Sequence, residues 1–576
     1  MPPTTQVRYD RLVEETDSIL DKPGKDDAIY TSVSGATITS RIPGWFKTEL
    51  KQQLKLAWPL VLVVGFTNIA PTMSLAFTGH LDTTSLAGQS LAISLINVLA
   101  IGVGIGLSSA CDTMFAQTFG TEQKKEIGNQ LQRCLIMMTL YCFPIWSLFM
   151  NAESLLLLTG QEPAVAKIAA DYLLWFFPGV WFNFMYNVLC RYLMNQNIVR
   201  PLVVVGFLAN VVNAGFHYLF VFTLDFGSRG SAIALSSTYA GLAIFTSLYI
   251  IIFRIHKPTW DGWSLSAFKN WGTFNRLAIP GMCMVLLEWS ALEISTIMAG
   301  TLGEVEVATQ IIIMQLAVIT YSMYFGLSVV VSVRVGQSLG RNNPTDAKHA
   351  VRVSFAISLC LCTIGSIFFL SLKDVLPPLF SNDSRVIDSV SDVLWLMVPY
   401  QFLSGLSIVY SGILRGCGRQ VIGAIVYLVC FYGLIVPLGL YLMLGTPLKV
   451  KGNWIGNSAG QIFSTLTFCL IVFCTNWKKE AAKVGERTGL KLSDEPGRRS
   501  YGTTPVEESG NTEEPRESPT KIALKRVAVV LVFSAILFGG IMAREYAPMP
   551  SSSWPHDFPS SNNATNSTDV NNSPSF

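Results

Sequence analysis

Two carboxylates, Glu288 and Glu293, stand inside the apolar run 277–300, which holds no other charged residue. Placing a carboxylate at mid-bilayer costs at least ~2.5–3.5 kcal/mol, so one that is present is a candidate for proton or cation handling. Glu288 lies near the middle of the run, and Glu293 lies further along it. Burial favours the protonated acid until a cation approaches and drives the proton off. Competition of that kind is the simplest physical form of antiport. Five helical positions set the two side chains about 140° apart, so they are expected to face differently and to do different work.

A cationic substrate would also use aromatic faces, which gain about 0.5–2 kcal/mol from a nearby amine. Trp289 and Tyr321 are the best placed for this; Tyr324, Trp181 and Tyr400 are weaker candidates. Asn68 and Gln315 are expected to complete the polar lining, while Asn183, Asn187, Asn210 and Asn213 suit bonds between helices. Asp112 and Asp171 read as helix-end carboxylates held by interface water. Glu304 and Glu306 read as loop charge, and His217 as a packing histidine. The eleven cysteines show no zinc spacing and read as small buried hydrophobes.

These residues need a membrane scaffold to position them. Only 14% of the 576 residues are charged, against about 25% in soluble domains, and mean hydropathy is +0.43. That composition excludes a soluble enzyme, a disulfide scaffold and a nucleic-acid binder. Spans are expected at 56–79, 90–117, 134–151, 169–191, 201–224, 231–253, 277–300, 309–333, 353–372, 390–414, 421–444, 454–476 and 527–543. Lys124, Lys125, Arg254, Lys257, Lys269, Arg341 and Lys348 gather in one set of short loops. Positive charge marks the cytoplasmic side, so the N-terminus is expected inside and the C-terminus outside. The plasma membrane is the expected location, with a vesicle membrane as the alternative. Residues 1–50 and 477–526 read as disordered tail and linker. The end of the chain, 544–576, carries glycosylation sequons at Asn563, Asn566 and Asn571.

The chain repeats itself. An offset of 221 lays Leu56-Ala57-Trp58-Pro59 on Leu277-Ala278-Ile279-Pro280, and Gln89 on Gln310. An offset of 220 lays Gln117 and Gly120 on Gln337 and Gly340, and 222 lays Gly230 on Gly452. Spans 1–6 (51–255) and 7–12 (277–476) are thus two parallel copies joined by the loop 256–276. Such repeats mark secondary transporters with a central site. Pro59 and Pro280 occupy equivalent places and are expected to act as hinges. The sequence contains no phosphate-binding loop, so no cofactor is expected and an ion gradient supplies the energy. Protons and small organic cations are the expected ligands. The partner is the lipid bilayer, with no nucleic acid and no obligate protein. A channel or lipid scramblase is the alternative from another class. The spans read as free of lysine and arginine, which argues against an anionic substrate.

The stretch Gly106-Leu107-Ser108-Ser109-Ala110-Cys111-Asp112-Thr113, with Gln117-Thr118-Phe119-Gly120, resembles the second helix of the multidrug and toxin extrusion (MATE) family. Its animal branch is the best match. Gly262-Trp263-Ser264-Leu265, Arg276 to Pro280, Glu288-Trp289 with Glu293, Ser332 to Gly336, and Leu414-Arg415-Gly416 with Gly418 are further points of resemblance. The likeness runs from about 50 to 480, and the thirteenth span matches the vertebrate-type members. It implies an all-α membrane protein of two six-helix lobes that exports organic cations in exchange for protons. Sodium coupling or an anionic substrate occurs in related branches. Many bacterial relatives carry a proton-handling aspartate in the first helix, but this chain has no acid there before Asp82. Coupling is therefore expected from the second lobe. Gln315 and Ser404 stand where close animal relatives carry further glutamates.

Overall fold

The computed structural model describes residues 43–79, 82–488 and 519–546. Twelve helices are long and apolar enough to cross a membrane, and a bent pair makes a thirteenth span. In chain order they are α1 (Gly44–Thr78), α2 (Thr83–Gly120), α3 (Glu126–Met150), the pair α4a (Pro163–Trp175) and α4b (Phe177–Met194), α5 (Arg200–Thr223) and α6 (Gly227–Ile252). The second copy is α7 (Trp271–Gly300), α8 (Glu304–Gly340), α9 (Pro344–Ser371), α10 (Ser384–Cys417), α11 (Gln420–Leu444) and α12 (Val450–Phe473). There follow a short helix, α13 (Trp477–Thr488), and a last span, α14 (Pro519–Tyr546). No strand occurs among the described residues. The protein is an all-α, multi-pass membrane protein of two six-helix lobes plus one further span. The sequons Asn563, Asn566 and Asn571 lie outside the described residues.

Each lobe builds its own apolar core from the inward faces of its helices. Leu107, Phe115, Met137, Phe184 and Leu235 belong to the first, and Leu327, Val331, Ile413 and Phe468 to the second. The cores interlock at two places. The start of α7, with Trp271, Phe274 and Leu277, packs into the first core, as do Phe325, Val329 and Val333 of α8.

Pro59 and Pro280 lie inside continuous helices. Other expectations are corrected here. Among the described residues, one pair of neighbouring helices meets at a sharp bend, 52°, between α4a and α4b beside Pro178. Proline removes a donor and crowds the preceding turn, yet the equivalent Pro399 leaves α10 unbroken. The stretch taken as disordered linker begins with a helix. In α13, Trp477, Ala481 and Val484 recur at helical spacing and bury themselves in the second core. The N-terminal tail likewise ends early: Trp45 stacks on His349 at 4.0 Å, and Glu49 forms a buried pair with Arg334 at 2.6 Å. Cys360 and Cys474 are exposed, contrary to a uniformly buried set. α14 rests on α3, where Phe533 meets Tyr141 and Asn151 donates to the Gly540 carbonyl.

Candidate functional site

A cavity of about 290 Å³ opens between the lobes, lined by α1, α2 and α4b on one side and α7, α8 and α10 on the other. Its apolar wall comes from leucine, isoleucine and valine side chains, as the spans require. Polar groups are few: Thr67, Asn68, Thr72, Asn97, Asn187 and Arg191 from the first lobe, and Glu288, Glu293, Gln315, Thr320, Gln401 and Ser404 from the second, besides the tyrosine hydroxyls and the Trp289 indole. Glu288 is only 6% exposed. The 221-residue offset pairs Thr67 with Glu288, Asn68 with Trp289 and Thr72 with Glu293, and all six line this one cavity. The repeat therefore places like positions across the cleft and gives the acids to one side only.

Glu288 and Glu293 both line the cavity, although they stand about 140° apart on α7. Positions 288, 289, 292 and 293 cover a 140° arc of α7, and the cavity wraps around that whole arc. The carboxylates sit at its two edges, so they remain separate groups rather than a dyad.

The aromatic candidates divide cleanly. Trp289 donates from Nε1 to the Tyr321 hydroxyl at 3.3 Å, and the rings meet edge to face at 6.4 Å. Tyr321 in turn stacks on Phe325 at 5.7 Å. Tyr324 and Tyr400 also line the cavity, and Tyr324 donates to Gln401. Trp181 does not reach it; its indole bonds to Thr139 within the first lobe. Asn68 crosses the cleft to Ser322 at 2.9 Å, and Gln315 is an exposed part of the wall.

Phe325 forms part of the cavity floor. The guanidinium of Arg191 lies 5.8 Å from its ring centroid, and that of Arg415 lies 5.5 Å away. A second, much smaller cavity, about 20 Å³, lies beside it and is lined by Glu288, Tyr321, Phe325, Ser411, Arg415 and Tyr427. Glu288 thus belongs to both cavities. The expectation of spans without arginine is overturned. Arg191 and Arg415 closed the expected spans like loop residues, yet α4b and α10 continue past them and bury both. Asp112 is not a wetted helix end either. It is fully buried and takes two bonds from Arg191, at 2.9 and 3.1 Å.

The weaker candidates are accounted for locally. Asp171 pairs with Arg229, and Glu306 with Lys449 at 2.9 Å. His217 bonds through Nδ1 to the Asn213 carbonyl and packs on Phe77. Asn210 and Asn213 tie α5 to α1 through the Phe66 and Ala70 carbonyls.

Below the floor the lobes touch closely. Gly106 approaches α7 so tightly that a Cβ there would lie 2.4 Å from the Met282 Cα. Towards the face carrying Lys124 and Lys125, Thr113 donates to the Arg415 carbonyl at 2.5 Å, and Arg487 of α13 donates to Gln117 at 3.2 Å. An α2 segment with a π-helical turn, Asn97–Gly102, brings Gly102 against Trp289. Such turns cluster at functional sites, and no residue pattern announces them.

The profile of the MatE family matches residues 59–219 and 280–441, one copy on each lobe. The chain belongs to that family, the multidrug and toxin extrusion transporters. It is 38% identical to "Multidrug and toxin extrusion protein 1" of Homo sapiens over 451 residues, covering 78% of this chain and 79% of that protein. The Mus musculus protein of the same name is 35% identical over 566 residues, covering 93% and 99%. Among solved structures, the eukaryotic MATE transporter AtDTX14 superposes with a TM-score of 0.74 at 28% identity, covering 77% of this chain and all of that one. The Vibrio cholerae MATE transporter VcmN in its bent form shares the fold at 18% identity, with a TM-score of 0.66, covering 77% of this chain and 99% of that one. The chain is thus a MATE transporter and not an enzyme.

Proposed function

We propose that this MATE transporter exports small organic cations in exchange for protons, with Glu288 as the coupling carboxylate and Glu293 as a cation-binding group. The carrying observation is Glu288 itself, a nearly inaccessible acid in the wall of an aromatic cavity between two pseudo-symmetric lobes. The cavity is close in size to the smaller ligand pockets, about 300 Å³. Trp289 and Tyr321 offer ring faces to an ammonium group, and the two glutamates offer the charge. Cargo entering the cavity displaces the proton of Glu288; reprotonation from the other side releases the cargo. One pH unit is worth about 1.36 kcal/mol, which sustains roughly a tenfold cation gradient in a one-for-one exchange.

Alternating access would then come from parting the contacts around Gly106 and Thr113 while the far side closes. Loop charge supports a cytoplasmic location for that contact face and for the N-terminus, with the plasma membrane as the working site and the sequon-bearing end outside. Arg191 brings no net charge to the cavity because Asp112 cancels it, which keeps cations favoured over carboxylates.

The test is efflux of a fluorescent organic cation from cells expressing the chain, with outside pH varied. Wild type should speed up as the outside is acidified, and Glu288→Gln at matched surface expression should lose that response. Efflux driven by sodium and indifferent to pH would overturn the coupling. Flux independent of Glu288 and of any ion gradient would favour a channel or scramblase.

A further inference from the structure

The second lobe holds a row of buried amides that the cargo cavity does not use. Asn453, Asn457 and Gln461 follow one another at four-residue steps along α12, and each is 1% exposed. Residues four apart stack on one helical face about 6 Å apart. Among the described residues, Asn453 Nδ2, Asn457 Nδ2 and both polar atoms of Gln461 have no hydrogen-bond partner, and nor has Nε2 of the nearby Gln310. Gln461 cannot be satisfied by exchanging its amide oxygen and nitrogen, since neither finds a partner. Gln310 is fixed in orientation, because its oxygen accepts from Trp454 at 3.0 Å. Buried amides in protein interiors are satisfied by protein or by water, and an interior water makes about three bonds to such groups.

The first lobe sharpens the contrast. Its equivalents of these three residues are Ser231, Leu235 and Tyr239, so the row of amides is missing. Its Gln89, the counterpart of Gln310, is fully engaged with Ser74, Ser231 and Thr78. Of Ser231, Leu235 and Tyr239, only Tyr239 leaves a polar atom, its hydroxyl, without a partner, so among the described residues the unpaired row of amides belongs to the lobe that carries Glu288.

Both ends of the row lead somewhere. One helical turn beyond Gln461, Ser464 shares a hydrogen bond of 3.1 Å with Ser407 of α10. Ser407 stands beside the hydroxyl of Tyr427, which lines the small cavity together with Ser411 and Glu288. At the other end, Gln310 lies one turn from Glu306, and Asn453 lies four residues from Lys449. Glu306 and Lys449 form an ion pair at the protein surface, their side chains 13% and 53% exposed.

We propose that α12 carries a water-lined file, mouthed by Glu306 and Lys449, that brings protons to Glu288 by a route separate from the cargo cavity. The inference rests on Glu288 being the coupling acid. A proton passes from water at the mouth along successive interior waters. Each water accepts one proton and donates another, the amides stay neutral throughout, and the carboxylate of Glu288 takes up the last proton as an acid. The amides hold the waters in line, so they are positioning residues. The charged groups facing Glu288 are Arg415 from α10, Arg191 from α4b with its partner Asp112 from α2, and Glu293 on its own helix; none lies on the file.

The experiment uses the full chain in proteoliposomes and a fluorescent quaternary ammonium dye. Two activities are compared: dye–dye exchange without a pH gradient, which moves no net proton, and acid-driven net transport. Asn457→Leu with Gln461→Leu should leave exchange within about twofold of wild type and cut acid-driven transport at least tenfold. Equal retention of both activities overturns the file. If both fall together, X-ray radiolytic labelling of the wild type decides: hydroxyl modification at Trp454 and Phe468 on α12 supports buried water there, and unmodified rings overturn it. Glu288→Gln in parallel separates the two ideas. A Glu288→Gln protein that keeps acid-driven transport sinks the coupling role, whereas a dead Glu288→Gln beside an unaffected amide variant sinks only the file.

Discussion

Gln117 and Gln337 make the same bond on opposite sides of the lobe interface. Gln117 Nε2 donates to the Gly416 carbonyl at 3.0 Å, and Gln337 Nε2 donates to the Asn195 carbonyl at 2.9 Å. The repeat offsets of 220 and 221 carry one bond onto the other, donor and acceptor alike. Gly120 and Gly340 complete the figure, each packed against the backbone of the other lobe's glutamine. Internal duplication has therefore built a two-fold latch across the face that carries the Lys124–Lys125 loop.

A latch of this kind sets a population. Each neutral hydrogen bond contributes about 1 kcal/mol, so replacing both glutamines, which also removes the bond from Arg487 to Gln117, should shift the open–closed balance by at least about 2 kcal/mol, or roughly thirtyfold or more. Gln117→Leu with Gln337→Leu should expose Thr113→Cys to a thiol reagent applied from that face, at a rate well above that in the unmodified background. The same rate in both backgrounds would show that the bonds do not hold the face shut.

Gly106 tests the same contact from its backbone. A methyl group there would meet the Met282 backbone at 2.4 Å, and a main chain cannot move aside as a side chain can. Gly106→Ala should therefore disfavour this closed arrangement and slow net transport at least tenfold, while dye binding in detergent stays near wild type. Full transport by Gly106→Ala would mean that the close approach is dispensable.

The fold was largely readable from the chain, and the site only in part. Span lengths follow from hydropathy, and the repeat follows from Gln89, Pro59 and the glycine motifs aligned with their partners. Glu288, Asn68, Trp289 and Tyr321 were legible as well, because a polar or aromatic residue in mid-span has few other reasons to be there. Arg191 and Arg415 escaped because each falls at the edge of its apolar run, where a sliding average of hydropathy expects a loop. Their burial depends on Asp112, 79 residues before Arg191, and on Phe325, and neither neighbour is visible along one chain. The helix Trp477–Thr488 was hidden by its charge content, although its apolar residues at 477, 481 and 484 carry the period. The amides Asn453, Asn457 and Gln461 of α12 carry no signal along the chain, because only the packing around them decides whether a buried amide finds a partner.

Asp112 and Arg191 should behave as a unit. Removing one member of a buried pair leaves the other charge without compensation, at a cost of about 3–5 kcal/mol. Asp112→Asn alone and Arg191→Gln alone should each lower the thermal unfolding midpoint of the purified protein by several degrees. The double variant should lose less than the sum of the two. Additive losses would show that the charges are stabilised by other groups and that the two bonds from Arg191 Nη1 contribute little.

Glu293 offers the cleanest separation of binding from coupling. It lies on the far edge of the α7 arc from Glu288 and does not line the small cavity that Glu288 shares with Arg415. Its charge should therefore act on the cargo and not on the proton. At an effective dielectric of about 20–40, a carboxylate roughly 6 Å from an ammonium group contributes about 1–3 kcal/mol. Glu293→Gln should raise the KM for a permanently charged quaternary ammonium roughly tenfold or more, and the response to outside pH should persist at saturating dye. Glu288→Gln should do the reverse, abolishing the pH response even at saturation. If Glu293→Gln erases the pH response as fully as Glu288→Gln does, the two carboxylates titrate together and the division of labour along α7 fails.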